Sequence, residues 1–428
     1  MKAERAATSL LRRKALAVAL VSCVAGYAQA NPTNPTVISG AATFAASGKN
    51  LNVTNTPGAI INWQGFSVKA DELTRFIQQN AQSAVLNRVT GQEQSAILGQ
   101  LLSNGRVYLI NPNGITIGAG ARVDTAGFVA SSLNLSDGDA LAGKFKLHDT
   151  GSSGKVVNSG TITTATGGFV YLVAPNVENN GIITSPKGEI ILAAGKSVEL
   201  VDSQKPELRV QLTAPENTAI NVGKLIAEAG SIGIFAGAIK QSGLISANSA
   251  VVGENGKIIL KAKKNITLDA GSKTEASGPQ GGSITIQSES GTTLVAGTVE
   301  AKATSTPTVY QLKDPTPAAV VTDPPQNPDI VPVKVDLKAT NTITTAGKGG
   351  SISILGDLVG LIDHATVDTS GESGGGQILV GGDYQGKNPD VQNAQRTYVG
   401  RDVQLMADAI IKGDGGKVIV WADEARIL

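Results

Sequence analysis

A glycine followed by a short strand of alternating apolar residues recurs along this chain of 428 residues. In Gly281-Gly-Ser-Ile-Thr-Ile286, for example, alternation places Ile284 and Ile286 on one face of a strand and Thr285 on the other. Copies of this unit begin at Gly168, Gly188, Gly256, Gly281, Gly349, Gly375 and Gly415. A unit that returns in this way is the signature of a repeat architecture.

The repeated unit predicts an all-β fold, a parallel β-helix. One coil cannot bury its apolar face alone, whereas stacked coils form a continuous core and pair each strand with its equivalent in the next coil. The 51 glycines and the low aromatic content of 4% suit a β architecture with many turns. A β-sandwich of hairpins stays open as the alternative, although hairpin turns of the Asn-Gly type are nearly absent between matched strands.

Residues 1–30 have the composition of a secretory signal, in which basic residues precede a short apolar core. Ala28 and Ala30 then offer an Ala-x-Ala cleavage site, with Asn31 as the first residue of the mature chain. Cys23 lies in a loose lipoprotein-type sequence, which leaves lipidation at that residue as an alternative. Cleavage after Ala30 would remove the chain's one cysteine, so disulfides would not stabilise the exported protein.

Seven of the 17 prolines fall within residues 303–335. Proline donates no backbone hydrogen bond, so this segment cannot be a central strand and is predicted to be an extended linker or a large loop. It divides a β-helix domain at 31–302 from further repeats at 336–428. Only residues 424–428 follow the last repeat strand, so we expect an uncapped end, either of a truncated relative of a longer protein or covered by self-association.

Two stretches show apolar residues at helical spacing. Residues 95–105 begin with serine, end with glycine and predict a short capped helix. The apolar positions that carry this prediction are Ile97, Leu98, Leu101 and Leu102. The spacing of apolar residues over 71–89 also favours a helix when the pattern is considered alone.

The residues that catalysis or metal binding would need are sparse. His148 and His364 have no His or Cys at ligand spacing, so we predict that both lie in surface loops. Enzymes that cleave acidic polysaccharides on a β-helix need clustered carboxylates, but the aspartates here lie mostly beside glycine, where turns favour them. We expect no cofactor and no metal, and such an enzyme is the least favoured alternative. A formal charge of +1 leaves no footprint for nucleic acid, and no apolar run in the mature chain is long enough for a membrane-spanning helix.

The segment between Ala59 and Leu135 carries a specific set of motifs. It contains Ile60-Ile-Asn-Trp-Gln-Gly-Phe-Ser67, Ala84-Val-Leu-Asn-Arg-Val-Thr-Gly91 and Asn104-Gly-Arg-Val-Tyr-Leu-Ile-Asn-Pro-Asn-Gly-Ile115. This set resembles the N-terminal haemagglutination-activity domain of the filamentous haemagglutinin family, the exported partners of bacterial two-partner secretion systems. The resemblance covers about 31–290, and residues 381–423 look like a recurring segment of large adhesins of the same family.

The resemblance implies a right-handed parallel β-helix with an N-terminal cap and short elements outside the helix. It also implies that residues 76–89 are mostly extended, against their helical spacing. The implied partner is a dedicated outer-membrane β-barrel transporter with periplasmic receptor domains. The chain would cross the barrel unfolded and fold outside, so the implied location is secreted or cell-surface. The absence of cysteine from the mature chain and coil-by-coil folding suit such a passage.

In the family, Asn-Pro-Asn motifs are tied to secretion, and this role carries over to Asn111, Pro112, Asn113, Gly114 and Ile115. Two interpretations stay open, because proline and Asn-Gly also simply form a turn before the next strand. The Asn-Pro-Asn-Leu and Cys-x-x-Asn motifs of some members are absent from the mature chain, which leaves the subfamily open.

The resemblance also leaves two functions open for the exported protein. One is an adhesin that binds a host glycan or protein receptor. The other is a short structural or interaction exoprotein, or a truncated remnant, without adhesive activity. The sequence names no receptor, because the loops of a solenoid carry binding without a recognisable code.

Overall fold

The chain folds as a parallel β-helix. The structure is a computed structural model that describes residues 31–151, 153–200, 210–213, 217–304 and 347–427. The described residues wind into coils, and a regular coil contributes one strand to each of three parallel sheets. We call these sheets 1, 2 and 3, in the order in which the chain passes through them within a regular coil, for example β10 (Ile115–Ile117), β11 (Arg122–Thr125) and β12 (Gly127–Ser131). The β-helix expected from the glycine repeat is confirmed, and the sandwich of hairpins is wrong.

The strands fall into these sheets as follows. Sheet 1 contains β7 (Ser95–Ile97), β10 (Ile115–Ile117), β15 (Val156–Asn158), β18 (Val177–Asn179), β23 (Thr218–Asn221), β26 (Ala238–Gln241), β29 (Ile266–Leu268), β32 (Thr292–Val295), β35 (Leu358–Leu361), β38 (Arg396–Val399) and β41 (Ala425–Ile427). Sheet 2 contains β2 (Ala42–Ser47), β3 (Asn50–Asn55), β5 (Leu73–Ile77), β8 (Gln100–Ser103), β11 (Arg122–Thr125), β16 (Thr161–Thr164), β19 (Ile182–Thr184), β24 (Lys224–Ile226), β27 (Leu244–Ser246), β30 (Lys273–Glu275), β33 (Thr298–Glu300), β36 (Thr366–Asp368) and β39 (Gln404–Met406). Sheet 3 contains β1 (Thr36–Ser39), β4 (Ala59–Trp63), β6 (Ala84–Val89), β9 (Arg106–Ile110), β12 (Gly127–Ser131), β17 (Phe169–Ala174), β20 (Glu189–Ala194), β25 (Ser231–Ala236), β28 (Lys257–Ala262), β31 (Ser283–Ser288), β34 (Ser351–Leu355), β37 (Gln377–Val380) and β40 (Lys417–Val420).

A few elements lie outside the coils. An antiparallel sheet, which we call the cover sheet, contains β13 (Asn134–Leu135), β14 (Phe145–His148), β21 (Ser197–Leu200) and β22 (Val210–Thr213). The short helix α1 (Asp137–Leu141) lies between β13 and β14 and is capped by the Ser136 side chain, which accepts a hydrogen bond from the Asp139 N–H. A 3-10 turn spans Tyr384–Gly386.

Parallel register stacks like side chains into columns along the helix axis. One column in sheet 3 consists of Val170, Ile190, Ile232, Ile258, Ile284, Ile352 and Ile378, each paired with the next. Every member is at most 1% exposed. Full burial of such a side chain contributes about 1.5–3 kcal/mol before the entropic cost of ordering it, so columns of this kind are the main source of the core's stability.

The stack continues across the Pro-rich segment, most of which lies outside the described residues. β33 precedes the segment and β34 follows it. Yet β34 pairs in parallel with β31, and β36 pairs in parallel with β33. The segment is therefore inserted within one coil, between its sheet 2 strand and its sheet 3 strand. Whether residues 31–302 fold as an independent domain stays a prediction.

The cover sheet buries the outer face of sheet 3 in the middle of the helix. Tyr108, Phe169 and Tyr171 point out from sheet 3 and pack against Phe145 of β14, with ring centroids 5.3 to 6.5 Å from it. Burial raises the pKa of the Tyr108 hydroxyl. Both faces of these strands are therefore covered, which explains why β17 reads as the continuous apolar run Phe-Val-Tyr-Leu-Val-Ala instead of alternating.

The N-terminal cap expected for this fold covers the first coil. β1 pairs antiparallel with β4, and β2 pairs antiparallel with β3 at the start of sheet 2, where β3 pairs in parallel with β5. A row of aromatic rings runs through the cap from Phe44 to Trp63, Phe66 and Phe76, with centroids 5.5, 5.7 and 6.4 Å apart. Antiparallel strands thus close an end that would otherwise expose a free edge.

The repeated glycine is required for close approach between coils. A Cβ atom on Gly188 would lie 2.2 Å from the Gly168 carbonyl oxygen, and one on Gly376 would lie 2.0 Å from the Gly350 oxygen. The same contact recurs with Gly230, Gly282, Gly350 and Gly416, each against the glycine of the coil before it. A side chain at any of these positions would push two coils apart, because it would overlap with backbone.

Both helices predicted from apolar spacing are wrong. Residues 95–105 form β7, a corner and β8, while 71–89 contain β5 and β6. Ile97 and Leu101 both face the core and are fully buried, whereas Leu98 lies at the corner between them and is 41% exposed. Two inward strand positions on either side of a corner therefore reproduce the four-residue spacing of a helix face.

The last described strands leave inward-facing positions uncovered. Val418 pairs in register with the buried Ile378, yet Val418 is 42% exposed because no described strand lies beyond it. Val420, which pairs in register with the fully buried Val380, packs against the core at its edge. The predicted self-association of this end in solution stays a prediction.

A ladder of buried amides runs between the coils at the end of sheet 1. The Asn158 Nδ2 donates to Asn179 Oδ1 over 2.8 Å, Asn179 Nδ2 donates to Asn221 Oδ1 over 2.8 Å, and Asn221 Nδ2 donates to Gln241 Oε1 over 2.7 Å. All of these side chains are fully buried. Gln241 Nε2 completes the ladder by donating to the Gly243 carbonyl oxygen over 2.9 Å.

We expect Asn179→Ala to lower the free energy of unfolding by about 2–3 kcal/mol. The substitution leaves a buried donor on Asn158 and a buried acceptor on Asn221 without partners. Asn180→Ala is the matched control, since Asn180 is exposed and its Nδ2 contacts only the Glu178 side chain in the described structure. Its expected cost is within about 0.5 kcal/mol. Urea unfolding of both variants measures the difference, and equal costs would contradict a stabilising ladder.

Candidate functional site

The Asn-Pro-Asn sequence forms the corner at which the chain leaves sheet 3 and enters sheet 1. Asn111 directly follows β9, and Ile115 is the first residue of β10. Between them, the Gly114 N–H donates to the Asn111 carbonyl oxygen over 2.9 Å and closes a turn. The five residues that sequence analysis singled out therefore act as one local unit. Ile115 is fully buried in the core.

Asn111 is the buried centre of this corner. It is fully buried, and its Nδ2 donates to the Glu93 carbonyl oxygen and to Ser95 Oγ, each over 2.9 Å. Its Oδ1 accepts the Asn113 backbone N–H over 3.0 Å, the geometry of an Asx turn, and Asn113 Nδ2 over 3.1 Å. Asn113 Nδ2 also donates to the Gly91 carbonyl oxygen over 2.9 Å. The corner thereby fixes the loop that precedes β7.

Gly114 is confined to glycine for two reasons. Its φ of +103° lies where side chains are strongly disfavoured. A Cβ at this position would also lie 2.9 Å from the Lys155 carbonyl oxygen of the next coil. The neighbouring Pro112 carbonyl oxygen accepts the Gly154 N–H over 2.7 Å, so both coils that flank the corner hold it in place.

The folded corner exposes only part of the motif. Asn113 is exposed and Pro112 is half-buried, whereas Asn111, Gly114 and Ile115 are buried. A ligand of the folded domain could therefore touch Pro112 and Asn113 but not the rest of the motif. The unfolded chain, by contrast, presents all five residues.

A groove of about 640 Å³ lies beside this corner. It is lined on one side by residues near Gln64 and Val68 and on the other by Gln92, Glu93 and Leu98. Its lining also includes Asn31, the residue that follows the predicted cleavage site. The cap and the loop that Asn111 holds therefore meet at one surface.

The cleavage-site residues fall on both sides of the described boundary. Ala28 and Ala30 lie outside the described residues, as does Cys23. Asn31 is half-buried, and its backbone N–H donates to Glu72 Oε2 over 2.9 Å. The structure does not bring Asn31 into contact with the Asn-Pro-Asn corner through any described hydrogen bond.

The residues that catalysis or metal binding would need are not grouped in the described part of the chain. His148 is exposed on strand β14, so its predicted place in a loop is wrong, while His364 is exposed in a turn as expected. Within the ranges that the structure describes, no group of three or more His, Cys, Asp or Glu side chains could hold a metal ion. In the same ranges, no helix is long and apolar enough to cross a membrane.

The buried polar residues that hold the corners were not predicted from the sequence. Asn158, Asn179, Asn221 and Gln241 each precede a glycine by two positions, and this recurring Asn/Gln-x-Gly pattern could have revealed the amide ladder. Glu72, whose carboxylate accepts a hydrogen bond from the Asn31 N–H, is not part of any recurring sequence pattern. A single acidic residue in a loop carries no signal of burial before the fold is known.

Comparison with known families identifies the chain. A family model described as the TPS secretion domain matches residues 28–286, more than half of the chain. The chain belongs to the TPS secretion-domain family. Members of this family are exported by two-partner secretion, which agrees with the resemblance seen in the sequence.

Solved and curated relatives support the assignment. The HMW1 secretion domain of Haemophilus influenzae has a crystal structure that superimposes with a TM-score of 0.63 at 28% identity, covering 92% of this chain and 98% of that one. A heme/hemopexin-binding protein of the same species is 33% identical over 183 residues, 40% of this chain and 20% of that protein. A hemolysin of Proteus mirabilis is 31% identical over 166 residues, 35% of this chain and 10% of that protein. The chain spans at most a fifth of these two curated relatives.

The two asparagines of the TPS-domain corner should differ in their effect on stability. Asn111→Ala removes the partner of four hydrogen-bonding groups in a buried corner, so we expect it to lower the free energy of unfolding by about 2–3 kcal/mol. Asn113→Ala removes an exposed side chain, and we expect a loss below about 1 kcal/mol. Denaturant unfolding of the chain from Asn31 onward compares the two. A larger loss for Asn113→Ala would contradict the structural role of Asn111.

Proposed function

We propose that this protein is a two-partner secretion exoprotein whose TPS domain is recognised in the periplasm by a cognate outer-membrane β-barrel transporter. The observation that carries this proposal is the match of the TPS secretion domain over residues 28–286. In this role the protein passes through the barrel and catalyses no reaction there. After the signal at residues 1–30 is removed, the chain passes through the periplasm and is exported as a secreted or cell-surface protein.

The fold suits passage as an unfolded chain. Each coil pairs with its immediate neighbours, so coils can form one after another as the chain leaves the barrel. Cleavage after Ala30 leaves a chain without cysteine, and such a chain cannot be locked by disulfides before it crosses. Folding outside then buries the apolar columns and opposes return.

The Asn-Pro-Asn corner is the proposed contact for the transporter. Asn113 combines exposure with a place in the motif, and its neighbour Pro112 is half-buried beside it. The groove lined by Gln92 and Glu93 extends this surface. An extended chain or a partly folded corner could present the same two residues to a periplasmic receptor domain.

We expect Asn113→Ala to reduce export about tenfold, as loss of roughly 1.4 kcal/mol of recognition would do. The matched control is Asn176→Ala, because Asn176 is also exposed and follows Pro175 at the equivalent corner between β17 and β18. The measurement is the ratio of exported to periplasmic protein in cells that contain the cognate transporter. Signal cleavage should be unchanged in both variants, since the inner-membrane step precedes recognition.

Wild-type export of Asn113→Ala would reject a recognition role for this side chain. Loss of export for both Asn113→Ala and Asn176→Ala would assign the effect to corners in general. Export that is independent of any barrel transporter would reject the proposed function itself.

For the exported protein, we propose an adhesin-like role on the cell surface, with a host glycan or protein as receptor. A long solenoid with loops on its outer faces offers an extended binding surface. The heme/hemopexin-binding relative shares a fifth of its length with this chain, so binding of heme or hemopexin is a competing proposal. The exported chain should bind to host cells or to glycans on an array, with the heat-unfolded chain as control. Binding of heme or hemopexin instead would favour the competing proposal, and no binding at all would favour the structural exoprotein.

A further inference from the structure

A buried carboxylate lies where the mature chain is predicted to begin. Glu72 is 4% exposed, in the loop that leads into β5. Its Oε2 accepts the Asn31 backbone N–H over 2.9 Å and the Lys69 backbone N–H over 2.8 Å. Burial of a carboxylate is costly unless hydrogen bonds or an opposite charge compensate it.

Asn31 is held at this carboxylate by its side chain as well. Its Nδ2 donates to the Lys49 carbonyl oxygen over 3.2 Å, and its Oδ1 accepts the Thr74 hydroxyl over 3.1 Å. Thr74 is fully buried. The φ of Asn31 is +62°, in the left-handed region that asparagine adopts more readily than most other residues.

The charged side chains next to Glu72 are exposed and do not contact the Asn31 nitrogen in any described hydrogen bond. Asp71 and Lys49 form an ion pair at the surface, with side chains 59% and 66% exposed. Each partner shifts the pKa of the other, raising that of Lys49 and lowering that of Asp71, but water screens this pair. Glu72 lies beneath them, adjacent to the nitrogen of Asn31.

We propose that Glu72 is a built-in binding site for the α-ammonium group that signal cleavage creates at Asn31. The proposal rests on the predicted cleavage after Ala30. In the precursor, a neutral amide N–H occupies this position. In the processed chain, a charged ammonium group 2.9 Å from Oε2 forms an ion pair in a largely buried setting. Processing thereby strengthens the closure of the cap.

The ion pair has a consequence for the order of events in export. A hydrogen bond to a charged group contributes about twice as much as a neutral one, so the processed cap should be about tenfold more resistant to opening than the precursor cap. The precursor is therefore easier to keep unfolded while it crosses the inner membrane. The extra stability of the processed cap is realised when the chain folds after it has crossed the outer membrane.

The test compares two starts of the same chain. One chain begins at Asn31, released without extra residues from a carrier fusion, and the other retains the native Gln29 and Ala30 and ends at the same residue. Each start is made with Glu72 and with Glu72→Gln, and Asp71→Asn is the matched control for an exposed neighbouring carboxylate. All carry Trp421→Phe, so that the fluorescence of Trp63 in the aromatic row of the cap reports cap opening in denaturant.

With Glu72 present, the chain that begins at Asn31 should show a cap-opening equilibrium constant about tenfold lower than the extended chain. Glu72→Gln should abolish this difference, and Asp71→Asn should retain it. Equal stability of the two starts with Glu72 present would overturn the proposal. So would an equal loss for both starts on Glu72→Gln, since that result assigns Glu72 to backbone hydrogen bonds alone.

A second measurement tests the proposal if the Glu72→Gln variant does not fold. Acetic anhydride modifies free amines, and peptide mapping by mass spectrometry separates the α-amine of Asn31 from lysine amines. The α-amine should be protected in the folded chain that begins at Asn31 and should lose protection in Glu72→Asp, whose carboxylate is shorter. Full reactivity in the folded wild-type chain would overturn the ion pair.

Mass spectrometry of the exported protein determines its first residue. Cleavage at a site other than Ala30 would remove the premise of the proposal, although the two-start comparison would still give the same result.

Discussion

Backbone pairing in register between neighbouring coils is the constraint on which the rest of this structure depends. A single coil has three short strands and a core one side chain deep, too little to offset the entropy of ordering it. Pairing with the next coil aligns identical positions, so that Ile284 meets Ile258 on one side and Ile352 on the other. The apolar columns exist only because the register is kept. The register continues across the Pro-rich segment, since β34 pairs with β31 and β36 pairs with β33.

Register is specified at the corners more strongly than along the strands. A slip by one residue would place apolar side chains outside and would also bring a Cβ against a neighbouring carbonyl, where Gly188 now leaves room for Gly168. The amide ladder adds a second condition, because Asn179 satisfies Asn158 and Asn221 only when the three coils are aligned. The close glycines fix the distance between neighbouring coils, whereas the buried amides lose hydrogen bonds when the strands of neighbouring coils pair out of register. The two conditions act at different corners of each coil, because the close glycines precede the sheet 3 strands and the buried amides end the sheet 1 strands.

The repeat in the sequence predicts the fold, but the sequence predicts few of the corners and few of the buried polar contacts. Alternation of apolar residues after glycine predicts strands wherever one face is buried, and Ile284 to Ile286 is such a case. The prediction failed at Ile97 and Leu101, because strand positions on either side of a corner mimic helical spacing. For the site, the motif at 111–115 was found as a unit, but the burial of Asn111 and the exposure of Asn113 depend on coils that come before and after it. Glu72 could not be found at all, because its partner is brought near by the cap.

The two interpretations of the Asn-Pro-Asn corner are compatible because they apply to different states of the chain. Before folding, Asn111 and Asn113 have no partners, and a receptor can bind amide groups that will later be buried. After folding, Asn111 is enclosed between the loop at Glu93 and the coil that contains Gly154, so a receptor that had bound it must have released it. Under the proposed function, formation of this corner would compete with recognition of Asn111. Folding outside the cell would then itself favour release from the transporter, and a fully buried residue of the motif would give export its direction.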